Sequence, residues 1–210
     1  MQIADTLELQ LFDMVNAARL AEGLGALVLE RNLNGSAAIY SGVLLETGTF
    51  SHDGPDGSTA RQRIEAAGFD FKAPWGTGEN LGVRTADTPG ESHGEVLELI
   101  FAALMDSTSH RANLLDPAFE LIGLGVEIGP YSRFDDRPAL MVTQHFGHTG
   151  GIADLQIMGS DGAETLRGGE GDDYLDGGAG FDLLAGGRGD DEMHGGQGRD
   201  ELRGGQGSAT

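Results

Sequence analysis

A nine-residue period in the last third of the chain constrains this sequence more than any other feature. From Gly168 the rows read Gly168-Gly169-Glu170-Gly171-Asp172-Asp173-Tyr174-Leu175-Asp176, then Gly177 to Ala185, Gly186 to His194, Gly195 to Arg203, and an incomplete row from Gly204 to Thr210. A degenerate row, Gly159 to Arg167, precedes them. The sixth position reads Glu164, Asp173, Asp182, Asp191, Asp200 and Ala209, and the eighth reads Leu166, Leu175, Leu184, Met193 and Leu202. A fixed period outranks local propensity, because each row buries its apolar side only by stacking on its neighbours. A flexible glycine-rich linker shares the composition, but it has no reason to keep an aspartate and a leucine in phase.

The residue types explain what such a stack does. Glycine at the second and fourth positions (Gly169, Gly171, Gly178, Gly180, Gly187, Gly189, Gly196, Gly198) follows another at the first, and permits tight turns with positive φ. Such turns aim backbone carbonyls inward, and the acid at the sixth position adds a hard anionic oxygen. Calcium takes about six to eight oxygens at roughly 2.3–2.6 Å. The apolar eighth position lies on the short strand between turns and points into a narrow interior. The pattern Gly-Gly-x-Gly-x-Asp-x-apolar-x resembles the RTX, or haemolysin-type, calcium-binding repeats over about Gly159 to Gly207. The resemblance implies a calcium-binding parallel β-roll in which each turn pairs with the turn eighteen residues on. Asp173 with Asp191, and Asp182 with Asp200, are then the best sites. Glu164 with Asp182 is weaker, because the Glu164 row lacks the double glycine, and Asp191 with Ala209 lacks one carboxylate. Without calcium the packed carboxylates repel and the tail is expected to be disordered; with calcium, binding energy becomes folding energy.

Composition narrows the function. The formal charge is −21, from 34 acidic against 13 basic residues, which excludes a nucleic-acid binder and docking to an anionic membrane. There is no cysteine, so disulfides, thiolate metal sites and cysteine nucleophiles are excluded. The longest apolar run, Leu99 to Met105, has seven residues, far short of the ~20 of a transmembrane helix. Met1 to Leu11 carries Asp5 and Glu8 and no basic run before an apolar core, unlike a secretory signal peptide. Residues 1–150 hold 18 glycines and residues 151–210 another 18, which places the domain boundary near Gly150.

The first 150 residues read as mixed helix and strand. Asp5-Thr6-Leu7-Glu8 resembles a capping box, with Leu7, Leu11, Met14, Val15 and Ala18 following at helical spacing. Further helices are expected over about 30–45, over 59–67, and from beyond Pro89 through Leu104. Strands are expected at Asn80–Arg84, Leu121–Ile128 and Ala139–Phe146. Interleaved elements of this kind point to a sheet covered by helices.

Several pieces of this region form an ordered set: Asn16-Ala17-Ala18-Arg19, Phe50-Ser51-His52, Pro55-Asp56-Gly57-Ser58, Arg63 to Gly68, Gly78-Glu79-Asn80-Leu81, Ser109-His110-Arg111-Ala112-Asn113-Leu114-Leu115, Ile122-Gly123-Leu124-Gly125 and Thr143-Gln144-His145-Phe146-Gly147. Together they resemble the CAP superfamily, whose bacterial members are also called SCP-like extracellular domains. The resemblance implies an α/β (α+β) fold, an α-β-α sandwich with a central cleft, joined to the β-roll at 151–210. It also implies a cleft lined by two histidines and two acids, often associated with zinc. His52 and His110 match the histidines and Glu79 the Gly-Glu-Asn acid, while Asp106 is the nearest candidate for the remaining acid. Two histidines and a carboxylate suit zinc with one position open, and the same groups equally suit a hydrogen-bonded network. Alternation along the last strand places His145 on a partly exposed face, apart from Gln144 and Phe146.

These readings converge on a secreted protein whose roll folds on extracellular calcium and whose cleft binds an unidentified ligand or divalent metal. Metal-assisted hydrolysis and surface adhesion are the competing functions. The RTX resemblance implies a type I secretion apparatus as partner. The sequence stops within a repeat, so the reading expects either a truncated C-terminus or a different mode of export.

Overall fold

A computed structural model describes residues 4–207. Its helices are α1 (Thr6–Ala21), α2 (Arg31–Thr47), α3 (Ala60–Ala66), α4 (His93–Asp106) and α5 (Thr108–Leu114). Strands of the first region are β1 (Val28–Glu30), β2 (Trp75–Thr85), β3 (Leu121–Tyr131) and β4 (Arg137–Thr149). The repeats supply β5 (Leu155–Met158), β6 (Thr165–Glu170), β7 (Tyr174–Asp176), β8 (Ala179–Gly180), β9 (Leu183–Arg188), β10 (Glu192–His194), β11 (Gln197–Gly198) and β12 (Glu201–Gln206).

Local chemistry sets the helix starts. Asp5 caps α1, Thr59 caps α3 and Ser92 caps α4, each in a reciprocal capping box with Glu8, Gln62 and Glu95. Gly48, at φ 65°, ends α2. The strand expected at Asn80–Arg84 is longer, Trp75–Thr85, because it pairs antiparallel with β4 along its whole length.

The helices cover both faces of the sheet. Leu11 and Val15 of α1 and Val96, Leu97, Ile100 and Leu104 of α4 pack on Ile122, Leu124, Val126, Leu140, Val142 and Phe146. On the opposite face, Tyr40, Leu44 and Leu45 of α2 pack on Leu81, Ala139 and Met141. The result is an α-β-α sandwich. It corrects the expectation for His145, which is fully buried along with Gln144 and Phe146. A strand with helices on both sides has no exposed face to alternate onto.

The repeats wind into a parallel β-roll. Strands eighteen residues apart pair in register: Thr165 with Leu183, Leu183 with Glu201, and Tyr174 with Glu192. Leu166, Leu175, Leu184 and Met193 form the interior with Ile157, while Leu202 is 45% exposed. The glycines at the second and fourth positions take positive φ, as at Gly169 (120°) and Gly171 (124°). First-position glycine has a different cause. A Cβ on Gly168 would lie 2.1 Å from Asp173 Oδ2 and 2.6 Å from the Gly186 carbonyl oxygen.

The sheet does not stop at residue 150. Its order is β10-β7-β5-β1-β3-β4-β2, so strands of the roll continue the sheet of the sandwich. The joint is β5 against β1, antiparallel, with Leu29 opposite Gln156 and Glu30 opposite Leu155.

Candidate functional site

The candidate site is assembled around Glu79, in the middle of β2. Register places it directly opposite His145 of β4. Glu79 Oε2 accepts from His145 Nε2 at 2.9 Å and from Arg63 Nη2 at 2.7 Å, and Glu79 Oε1 pairs with His52 Nδ1 at 2.8 Å. Arg63 also donates to the Ser58 carbonyl and stacks over the Tyr40 ring, 3.4 Å from its centroid. Burial opposes ionisation of Glu79. The bonds from His145 and His52 and the charge of Arg63 outweigh it, and hold this carboxyl below the ordinary range. The His52 side chain is 59% exposed, so the buried acid holds an imidazole that faces solvent.

His110 stands on α5, near enough to His52 for its charge to matter. Burial first, then His52, lowers the His110 pKa. Asn80 fixes this helix: its Nδ2 donates to the His110 carbonyl at 3.1 Å and its Oδ1 accepts from Asn113 Nδ2 at 2.8 Å. Asp106 takes no part. It lines a separate hollow with Met105, Thr108, Arg111, Ala112 and Leu115. Arg63, His145 and Tyr40 complete the Glu79 cluster. Arg63 and His145 lie within the ordered motif pieces, but nothing in those pieces gives them a place beside Glu79, and Tyr40 lies in none of them.

This arrangement does not fit zinc. Both oxygens of Glu79 are engaged, and the fixed cation of Arg63 sits 2.7 Å from one of them. Among the described residues, no three histidine, aspartate or glutamate side chains converge to hold a metal ion. The zinc expectation for His52 and His110 finds no support in this geometry, where the groups present form a hydrogen-bonded network.

The roll presents a different chemistry. In each layer the Oδ1 of the sixth-position acid accepts the backbone N–H eighteen residues earlier. Leu155 donates to Asp173 at 2.7 Å, Glu164 to Asp182 at 2.9 Å, Asp173 to Asp191 at 3.2 Å and Asp182 to Asp200 at 3.1 Å. The second oxygens, Oδ2 of Asp173, Asp182 and Asp191, are buried and have no hydrogen-bond partner. Burial pushes the Asp173 carboxyl up to about 7 and raises that of Asp191. Carbonyl oxygens stand beside these acids, with those of Gly186 and Gly195 next to Gly168 and Gly177. Buried carboxylate oxygens without donors, beside backbone carbonyls, fit a hard divalent cation such as calcium. Glu164 differs, since both its oxygens are turned onto Ser160. Asp191 has its expected partner, Ala209, outside the described residues.

Fold and sites together define the class: an α-β-α sandwich bearing an acid-centred cluster of histidines and arginine, with a roll of acidic glycine turns. The profile of the cysteine-rich secretory protein (CAP) family matches residues 12–146, and the chain belongs to that family, although it has no cysteine. The RTX calcium-binding nonapeptide repeat matches 158–191 and again 177–210, so calcium-binding repeats follow the CAP domain. The chain is 30% identical over 123 residues to the uncharacterized protein YkwD of Bacillus subtilis, covering 58% of this chain and 43% of YkwD. It thus spans less than half the length of that relative. Among solved structures, an outer surface protein from Borrelia burgdorferi is similar in fold, with TM-score 0.50, 21% identity, and coverage of 71% of this chain and 99% of that one. An extracellular SCP-domain protein from Bacillus anthracis shares 26% identity with TM-score 0.49, over 66% of this chain and 39% of that one.

Proposed function

We propose that this is an exported calcium-binding CAP protein. The segment 151–210 acts as its calcium unit, and 1–150 presents a ligand-binding cleft to the extracellular space. The observation that carries the reading is the set of buried, partnerless Oδ2 atoms on Asp173, Asp182 and Asp191, repeated at the layer spacing. A buried carboxylate with one oxygen left without a donor is costly unless it is neutralised or meets a cation. Asp173, Asp182, Asp191 and Asp200 supply the carboxylates, and the turns closed by Gly169, Gly171, Gly178, Gly180, Gly187, Gly189, Gly196 and Gly198 supply carbonyls. Glu164 contributes least. At cytosolic calcium such a roll stays loose enough to thread an export channel of the type I kind, and it closes where calcium is millimolar.

The cleft is read as a binding site in which Glu79 orients His52 toward a polar ligand, with His110 on the neighbouring helix. The engagement of Glu79 by Arg63 supports binding over metal-assisted hydrolysis. No helix among the described residues is long and apolar enough to cross a membrane.

Calcium titration of the full chain tests the reading. Far-UV circular dichroism should gain strand signal as calcium replaces chelator, magnesium should not substitute, and Asp173→Asn with Asp191→Asn should abolish part of the response. A chain with the same spectrum in chelator and in calcium, and no heat of calcium binding, would sink it.

A further inference from the structure

The roll begins earlier than its glycine pattern shows. Residues 150–158, Gly-Gly-Ile-Ala-Asp-Leu-Gln-Ile-Met, form a row of nine ahead of Gly159. The β5 strand pairs with β7 at the roll's own spacing, with Gln156 opposite Tyr174, Ile157 opposite Leu175 and Met158 opposite Asp176. Asp172 N–H donates to Asp154 Oδ1 at 2.9 Å, as Asp190 N–H donates to Asp172 Oδ1 at 2.8 Å one layer later. Ile157 packs in the apolar interior of the roll.

This first layer is incomplete on the side where the later layers are built for a cation. Its sixth position is Leu155, so a carboxylate is missing. The second-position turn carbonyl is missing too, although the fourth-position carbonyl, that of Ala153, is in place under Gly171. A Cβ on Gly187 would lie 2.1 Å from the Gly169 carbonyl below it, whereas nothing lies within 4 Å of the same point on Gly169. Gly150 and Gly151 have been drawn away into the sandwich. Gly150 N–H donates to the Lys72 and Pro74 carbonyls, and Gly151 lies against Asp70.

A side chain from the CAP domain reaches into this layer. Arg31, the first residue of α2, is only 8% exposed. Its Nη1 donates to the Asp172 carbonyl oxygen at 2.5 Å, and its charge acts on the buried Asp173 carboxyl in favour of the ionised form. Its backbone N–H donates to the Asp154 carbonyl at 2.7 Å. Asn32 Nδ2 donates to both Asp154 Oδ2 and Glu30 Oε1 at 3.0 Å, so one corner of the sandwich grips both rows.

We propose that Arg31 is a built-in cation for the first layer of the roll, serving there in the role that calcium takes in later layers. One layer is then assembled on the CAP domain before any metal arrives, and folding runs outward from it. The inference rests on the calcium reading above. Physically it replaces the nucleation step of an isolated repeat array, whose rows cannot bury their apolar side alone.

Calcium titrations of the full chain by far-UV circular dichroism test it, comparing wild type, Arg31→Gln and Arg31→Lys. Loss of the charge in Arg31→Gln should raise the calcium midpoint about fivefold, and Arg31→Lys should raise it less. The near-UV signal of Trp75 checks that the CAP domain is intact in each variant. Hydrogen exchange on the wild type in chelator gives a second reading that needs no variant. The Leu155 and Asp172 amides should stay protected while those of Asp190 and Glu201 exchange freely. A Gln midpoint equal to the wild-type value, or first-layer amides as open as the rest, would overturn the role of Arg31. A wild-type chain that ignores calcium would instead sink the calcium reading itself.

Discussion

Glu79 receives two histidines and an arginine on two oxygens while being almost fully buried, and its removal exposes what the cleft is for. Glu79→Gln leaves the Arg63 guanidinium without its counter-charge inside the protein. The expected loss is about 2–4 kcal/mol of stability by urea denaturation in saturating calcium. His52→Ala removes only an outward-facing ring, and should cost less than about 1 kcal/mol. Equal losses would mean that Glu79 does not organise the cluster. A second buried acid gives a pH signature. Glu8 accepts from Asp5 N–H and Val126 N–H, yet burial raises its pKa from 4.5 to about 7. The folded state therefore binds this proton more tightly than the unfolded chain. The stability it contributes is full below 4.5 and is lost as pH rises through about 7. Between those limits wild type should lose on the order of 2 kcal/mol relative to Glu8→Gln, measured by denaturation at both ends. Parallel pH profiles for the two proteins would refute it. His52 and Glu79 stand out in the sequence because motifs carry them. His145 and Arg63 fall inside motif pieces too, but their place at Glu79 comes only from cross-strand register and from a helix packed over the sheet.

Among the elements, α2 depends on the closest approach in the sandwich. Its backbone lies over Gly123 and Gly125 of β3, where a Cβ on Gly125 would stand 2.3 Å from the Ala37 carbonyl carbon. Ser41 Oγ seals the contact by bonding the Gly125 carbonyl at 2.9 Å. Gly125→Ala must push the helix outward and should lower stability by about 2–3 kcal/mol, seen as a lower melting temperature with unchanged calcium stoichiometry. An unshifted melt would show that the layer yields freely. Four of the helices were legible, α1 from its cap and apolar spacing and α2, α3 and α4 from their sequence bounds, and the repeat strands from their phase; the short α5 was not. The β5 strand was not. It lies just past the domain boundary read near Gly150, and its pairing with β1, more than 120 positions earlier, leaves no local trace.

At the scale of the whole molecule, calcium repeats and CAP domain were both readable from spacing, because each relies on residues that recur in a fixed order. Their union was not, since it depends on one arginine and one edge strand meeting a row without the acid of its neighbours. The winding itself has a further consequence. Successive rows alternate between two sides of the roll, and the sides differ. The fifth position is Asp154, Asp172 and Asp190 on one, and Ala163, Phe181 and Arg199 on the other. Losing or duplicating nine residues would send every later row to the wrong side, setting a phenylalanine where an aspartate ladder runs. Losing or duplicating eighteen keeps each column intact. The heritable unit of length change in this roll is therefore a pair of repeats, although the sequence is written in single ones.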